Sequence, residues 1–242
     1  MEAKKTMKII LTLAALAIIV FLSVIFLNSH IEYKEQNQEN LETAQPLSDL
    51  ENHQSYAVAN LPVIGAEDWG QKGSDEALAV IVYEDYADIF SADFVASLAS
   101  AQADFGDRLH VVFRPLNINN SNLSRQAALA VLCAADGGQG EAMRARIFNA
   151  TKNNQFNPED LSAWAKELGL VDNDFQACLT NSKKKERIDT ISAQAENFSV
   201  YGAPTTFVGD EMIVGARPYE SFTDSNGDEI EGLKQVIERQ LK

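Results

Sequence analysis

The chain has 242 residues, with 20 Lys and Arg against 35 Asp and Glu, a formal net charge of −15 at pH 7. Such an acidic balance argues against nucleic acid and against docking onto anionic lipid as the protein's business. Beyond that exclusion, an excess of acids says little more than solubility.

In chain order, Ile9 to Leu27 (IILTLAALAIIVFLSVIFL) is uncharged and has only Thr12 and Ser23 as polar groups. As a helix it would span roughly 28 Å, enough to cross a bilayer core. Lys4, Lys5 and Lys8 precede it, so the positive-inside rule puts residues 1–8 in the cytoplasm and the chain after Asn28 outside, in a periplasmic or extracellular space. The rival is a cleaved signal peptide. No small-x-small site follows Leu27, and the apolar run is long for a signal sequence, so the expectation is an uncleaved single-pass anchor in the cell membrane. Residues 28–68 turn to Glu, Gln, Asn and Ser, a composition that cannot bury enough surface to offset its ordering entropy, and are expected to form a flexible tether.

Residues 69–242 carry regular apolar periodicity and make one domain. Ala77 to Tyr83 is a continuous apolar, β-branched run that predicts a buried strand. Ile89 to Phe105 predicts a helix, Leu109 to Pro115 a second strand, and Leu123 to Ala135 and Glu141 to Lys152 two further helices. Asn157-Pro158-Glu159-Asp160 is a helix start, with Asn as cap, Pro at the first position and acids in the first turn; that helix ends at Gly169. Asp174 to Leu179 and Lys184 to Asn197 add two more helices. Thr205 to Val208 and Glu211 to Val214, joined by Gly209-Asp210, predict a hairpin. Tyr219 to Leu241 is expected to be helical around a polar loop, Thr223 to Gly232. A right-handed crossover makes the first two strands parallel neighbours. The helices of residues 117–198 would form a separate layer.

This order, with Trp69, Gly73, Ala77-Leu78-Ala79-Val80 and Tyr83-Glu84-Asp85-Tyr86 at its start, resembles the DsbA-like branch of the thioredoxin superfamily. Leu132-Cys133-Ala134-Ala135, Phe175-Gln176-Ala177-Cys178-Leu179, Gly202-Ala203-Pro204-Thr205-Thr206-Phe207 and Val214-Gly215-Ala216-Arg217-Pro218-Tyr219 carry the likeness through the chain. The resemblance implies an α/β, thioredoxin-like fold with an inserted α-helical domain. It implies thiol–disulfide exchange through a Cys-x-x-Cys pair at the first helix N-terminus, where the helix dipole favours a thiolate and a second thiol resolves the mixed disulfide. By spacing from Asp85-Tyr86 those positions are Asp88, Ile89, Phe90 and Ser91, with both sulfurs absent. A carboxylate cannot pass on a disulfide. The resemblance further implies a cis-proline at Pro204 whose loop, with Ala203 and the Phe90 surface, offers itself to an extended substrate peptide; a purely structural role at the sheet edge is the alternative.

The two cysteines, Cys133 and Cys178, lie 45 apart. In an exported domain an even pair points to a structural disulfide; two buried free thiols or a redox-active pair are the other readings. Asp88 fits an N-cap and Ser91 a first-turn hydroxyl. The domain's single histidine, His110, lies inside a predicted strand, so a serine nucleophile would lack a base at the strand ends. Asp224, Asn226 and Asp228 alternate like the start of a calcium loop, but Glu229 and Gln235 stand where such a loop needs Gly and Glu, which favours a polar turn. Lys183-Lys184-Lys185 reads as the start of a solvated helix. No cofactor and no metal is expected. The expected partner is an exported polypeptide or a membrane protein, and the alternatives are an oxidoreductase using Cys133 and Cys178 or a cysteine-bearing partner, and an architectural subunit of a membrane complex.

Overall fold

The structure, a computed structural model, describes residues 56–57 and 60–242 apart from Ile118. The segment expected to cross the membrane, 9–27, and most of the expected tether lie outside the described residues. Among the described residues no helix is long and apolar enough to cross a membrane.

Six strands make one sheet: β1 (Tyr56–Ala57), β2 (Trp69–Gln71), β3 (Leu78–Glu84), β4 (Leu109–Pro115), β5 (Thr205–Val208) and β6 (Glu211–Val214), in the order β1-β6-β5-β3-β4-β2. β3 and β4 are parallel, with Val80 opposite Val111 and Tyr83 opposite Arg114; every other pair is antiparallel. Central β3 is apolar at every position from Leu78 to Tyr83 because it is covered on both faces. Val80 and Val82 face one layer, formed by α1 (Ile89–Phe105) and α7 (Leu233–Gln240), where Phe94, Leu98, Val236 and Ile237 are buried. Ile81 and Tyr83 face the other, against Ala195, Val200 and Phe207. Each such aliphatic or aromatic burial stabilises by about 2 kcal/mol.

Between β4 and β5 the chain forms the helical layer: α2 (Asn122–Asp136), α3 (Gly140–Lys152), α4 (Leu161–Glu167), α5 (Asp172–Leu179) and α6 (Ser182–Ala195). The alanine-rich face of α2, Ala127 to Ala134, is its buried centre, packed on Met143, Ile147, Phe148, Phe175 and Ile188. Asn157 caps a 3-10 turn, Pro158–Asp160, that leads into α4. Asn181 accepts the Lys183 N–H to start α6, and Lys184 pairs with Asp136.

Three features differ from the sequence reading. β1, within residues 28–68, pairs with β6, and Trp69–Gln71 is an edge strand of its own on β4. The third is the C-terminus, where the helix covers only Leu233–Gln240. Phe222–Thr223 (β7) and Glu229–Ile230 (β8) pair as a small hairpin, and Ile230 is buried. Pro218 and Tyr219 instead give their carbonyls to the N–H groups of Leu233 and Lys234. Gly232 permits this closeness, since a Cβ there would stand 2.4 Å from the Tyr219 carbonyl oxygen. Asp224 spends one carboxylate oxygen on the Asn226 and Asp228 N–H groups, which makes it the brace of the β7–β8 turn. Among the described residues no group of three or more His, Cys, Asp or Glu could hold a metal ion.

Candidate functional site

The site forms where β3 runs into α1. Asp88 is the N-cap: its backbone is extended, and Oδ2 accepts the Ser91 N–H at 2.7 Å. Ser91 is buried, and its Oγ accepts the Asp85 N–H at 3.2 Å. Asp85 in turn holds the turn and the next layer, accepting the Ala87 N–H at 2.9 Å and the Ser124 hydroxyl of α2 at 2.8 Å. Burial pushes the Asp85 carboxyl above its ordinary value; the Ala87 and Ser124 donors oppose the rise and the neighbouring Asp88 charge adds to it. The segment is thus a chain of polar contacts from the sheet through the helix cap to the helical layer.

Beneath it, at the end of β3, Glu84 and Arg144 form a buried bidentate pair, 2.6 Å to Nε and 2.7 Å to Nη2. Arg144 lies over the rings of Phe113, at 4.1 Å, and Phe148, at 5.0 Å. Burial raises the Glu84 carboxyl and the guanidinium limits the rise. Nothing in the sequence pattern singled this pair out. An acid closing an apolar strand and an Arg on an otherwise apolar helix face were the available signals.

The Ala203–Pro204 peptide bond is cis. Thr205 Oγ1 donates to the Gly202 carbonyl and the Gly215 N–H to the Pro204 carbonyl, which fixes the loop against β6. The Ala203 N–H and C=O make no hydrogen bond to the described residues. Asp85, Asp88, Leu116, Asn119, Tyr201, Gly202 and Ala203 line one cavity of about 140 Å³. Tyr201, which lines it, is 72 % exposed, and at the start of α1 Phe90 is 61 % exposed and Ile89 is exposed as well. The fold therefore brings Asp88 and Ala203 to one cavity, with Phe90 two residues on in α1. Tyr201 and Asp85 are participants that the sequence reading did not name as site residues.

The cysteines lie elsewhere. Cys133 of α2 and Cys178 of α5 form a disulfide that lines a different cavity, of about 370 Å³, with Asp136 and Asp174. The bridge closes a loop of 45 residues, and the loop-closure account gives it up to about 4 kcal/mol. Substituting both cysteines by alanine is expected to cost about 2–4 kcal/mol in urea unfolding. Asp136 is paired with Lys184, which leaves the Asp174 carboxylate to disfavour an incoming thiolate, and the bridge is expected to survive millimolar reduced glutathione, as counted by alkylation and mass measurement.

A third cavity, of about 540 Å³, lies at the N-terminal edge of the domain. There Arg114 donates to Asp68 at 2.7 and 3.2 Å, to the Tyr83 hydroxyl at 2.8 Å and to the Val63 carbonyl at 2.7 Å, while Arg187 donates to the Glu67 carbonyl. These bonds pin residues 63–68 to the sheet. Although burial acts against it, the donors from Arg114 and Gly65 hold the Asp68 carboxyl below its usual 3.8. A depressed folded-state value stabilises the fold above the unfolded value and is lost as pH falls through the folded one. The stability difference between the wild type and Asp68→Asn is therefore expected to be constant above about pH 5 and to shrink below pH 4. Urea midpoints across that range measure it.

Residues 79–225 match the family described as the DSBA-like thioredoxin domain. A curated relative, the Na(+)/H(+) antiporter NhaA of Nitrosospira multiformis, is 23% identical over 165 residues, 68% of this chain and 26% of the relative, so the chain spans about a quarter of that relative's length. The fold is similar to a thioredoxin-like oxidoreductase from Silicibacter pomeroyi, with TM-score 0.56, 19% identity, and coverage of 72% of this chain and 92% of that one. It is similar also to oxidised BdbD from Bacillus subtilis, with TM-score 0.57, 19% identity, and coverage of 70% and 91%. With well over half of its length matched and the thioredoxin-like sheet and inserted helices in place, the chain belongs to the DSBA-like thioredoxin domain family.

Proposed function

We propose that this protein is a membrane-anchored, extracytoplasmic member of the family that does not run thiol exchange and instead binds extended segments of exported polypeptides across the Ala203–Pro204 loop. The observation that carries this is the Ala203 main chain, unpaired among the described residues, in a cavity shared with exposed Tyr201 and with Asp88, at a helix start that presents an exposed Phe90 and holds no thiol. An extended chain can add main-chain hydrogen bonds at such an edge, each contributing about 1 kcal/mol, and the rings supply apolar area for its side chains. Family members are usually thiol–disulfide oxidoreductases. That activity needs a thiolate, and both cysteines of this chain are bridged away from this cavity. Segment 9–27 supports the anchor and the outward placement of the domain.

Photo-crosslinking in cells from a probe at Phe90, followed by mass spectrometry, tests the binding reading: a range of exported polypeptides is expected, and an absence of adducts would sink it. The match to part of an antiporter favours a second reading, an architectural module on a membrane complex. In that case one membrane protein, rather than many exported chains, would dominate the adducts.

A further inference from the structure

We infer that the cavity beside Asn117 is a second subsite for the bound polypeptide and takes a side-chain carboxamide, that of glutamine or asparagine. The inference rests on the polypeptide-binding reading above and extends it to a cavity that reading leaves unused. Its basis is a buried group without a partner. Asn117, two residues after β4, is only 4 % exposed, yet neither its Nδ2 nor its Oδ1 meets a hydrogen-bonding atom among the described residues. Its main chain is held: the N–H donates to Ser192 Oγ at 2.9 Å, and the carbonyl accepts the Asn120 N–H at 3.3 Å. Trp69 and Thr206 each keep one buried atom unpaired; Asn117 keeps two and lines a cavity. That cavity, of about 200 Å³, is completed by Asn120 and by Asp189, Ser192, Ala193 and Glu196, which follow one face of α6 into the turn after it. An amide buried with both groups unpaired costs the free fold stability, and such groups are few in folded proteins.

The amide also defines its complement. A carboxamide presents donor hydrogens and an acceptor oxygen side by side, so its partner must offer an acceptor and a donor together. A metal ion would satisfy Oδ1 and leave Nδ2 unpaired. An anion would satisfy Nδ2 and meet the carboxylates of Asp189 and Glu196. A second carboxamide satisfies both groups at once, through a pair of N–H···O bonds. Asp189 is already paired with Arg125 at 2.5 Å, and Glu196 is exposed to water, so neither acid calls for a cation. No aromatic ring lines the cavity, which disfavours a sugar, whose C–H faces pack on rings. A side chain fits better than a main chain, because the amide is buried and only a slim group reaches it. The polypeptide is the source the fold favours. Leu116 and Asn119 line the cavity at Ala203 while Asn117 and Asn120 line this one, so the stretch after β4 is a shared wall of both.

The test uses the full-length protein in detergent and fluorescently labelled extended peptides of serine and valine that differ at one central residue: glutamine, norleucine, glutamate or lysine. Norleucine keeps the length and removes the amide. The glutamine peptide is expected to bind about fivefold to thirtyfold more tightly than the norleucine peptide, the range for one or two neutral hydrogen bonds, and the glutamate peptide most weakly. Asn117→Leu removes the unpaired groups at similar volume. It is expected to melt at or above the wild-type temperature, since the free protein loses no hydrogen bond, and to bring the glutamine-to-norleucine ratio to one. Asn117→Ala makes the same comparison if the larger side chain does not fit. Equal binding of the glutamine and norleucine peptides to the wild type overturns the inference and leaves the polypeptide reading standing; water is then all that the amide meets. A glutamine preference that the Asn117 variants keep also overturns it, and so does a lysine peptide that binds tighter than the glutamine one, which would make Asp189 and Glu196 the selecting groups. Binding of none of the peptides overturns the polypeptide reading, and the subsite with it.

Discussion

Replacing Arg144 by leucine is expected to destabilise the domain by about 3–5 kcal/mol, the cost of leaving a buried charge without its partner. Glu84 is 1 % and Arg144 3 % exposed, so water cannot replace the lost guanidinium. Domain stabilities of this kind run to about 5–15 kcal/mol, and one substitution would remove a third or more. The effect should be specific to the broken pair. Glu84→Leu combined with Arg144→Met removes both charges and keeps apolar volume, and is expected to recover most of the loss, because the pair's attraction does little more than offset its own desolvation. Urea unfolding followed by Trp69 and Trp164 fluorescence reads both variants, provided the m-values agree. A single variant within about 1 kcal/mol of the wild type would show that the charge at Glu84 is relieved by protonation alone. Arg144 lies on α3 and Glu84 ends β3, so the pair ties the helical layer to the strand that delivers Asp85 and Asp88. The Thr151 hydroxyl of the same helix donates to the Tyr86 carbonyl. Loosening α3 is therefore expected to disturb the site as well as the fold.

The parts of this architecture legible in the sequence are those where one residue pattern meets one environment. β3, β4 and the β5–β6 hairpin are apolar runs bounded by acids, prolines or Gly-Asp, and α1 has Asp88 as its stop signal for the strand and start signal for the helix. β1 and β2, of two and three residues, are too short to show a period of two, and exist because β6 and β4 present unpaired edges. The C-terminal misreading has the same cause. Tyr219 to Thr223 has helical spacing of large residues, but its hydrogen bonds go to α7 and β8, which only the folded chain brings near. At the site, the helix cap could be read from Asp88 and Ser91 alone. The bond from Ser124 to Asp85 spans 39 residues and the bond from Arg144 to Glu84 spans 60, and no local pattern announces either. Tyr201 was illegible for a different reason: one exposed aromatic in a loop has no periodicity.

Two sulfurs at the start of α1 are expected to introduce thiol chemistry there. On the non-redox reading, the wild type reduces insulin no faster than the uncatalysed background, and Asp88→Cys with Ser91→Cys is expected to raise the rate above it with dithiothreitol as the electron source. The spacing favours it, since Asp88 is the N-cap of α1 and Ser91 lies three residues on, within the first turn. A thiol at the cap position gains from the helix N-terminus up to about 2 kcal/mol, or roughly 1.5 pKa units, which would bring it from about 8.5 towards 7. The Asp85 carboxylate acts in the opposite direction, because a nearby negative charge disfavours the thiolate. Adding Asp85→Asn to the pair is therefore expected to lower the pKa of the thiol at the cap position further and to raise its alkylation rate near pH 7. In the reaction the cap-position thiolate attacks an insulin sulfur and releases the other as a thiolate. The second introduced thiolate, one turn on, then resolves the mixed disulfide, and dithiothreitol reduces the new bond between the two introduced sulfurs with two electrons. The Cys133–Cys178 bridge takes no part and is expected to remain oxidised in intact-mass measurements. If the double variant folds yet stays at the background rate, the site has lost more than its sulfurs, and the surface around Phe90 and Tyr201 has been reshaped for holding a chain rather than exchanging its bonds. If instead the wild type turns over insulin at a rate that falls when Cys133 and Cys178 are replaced, the non-redox reading is wrong.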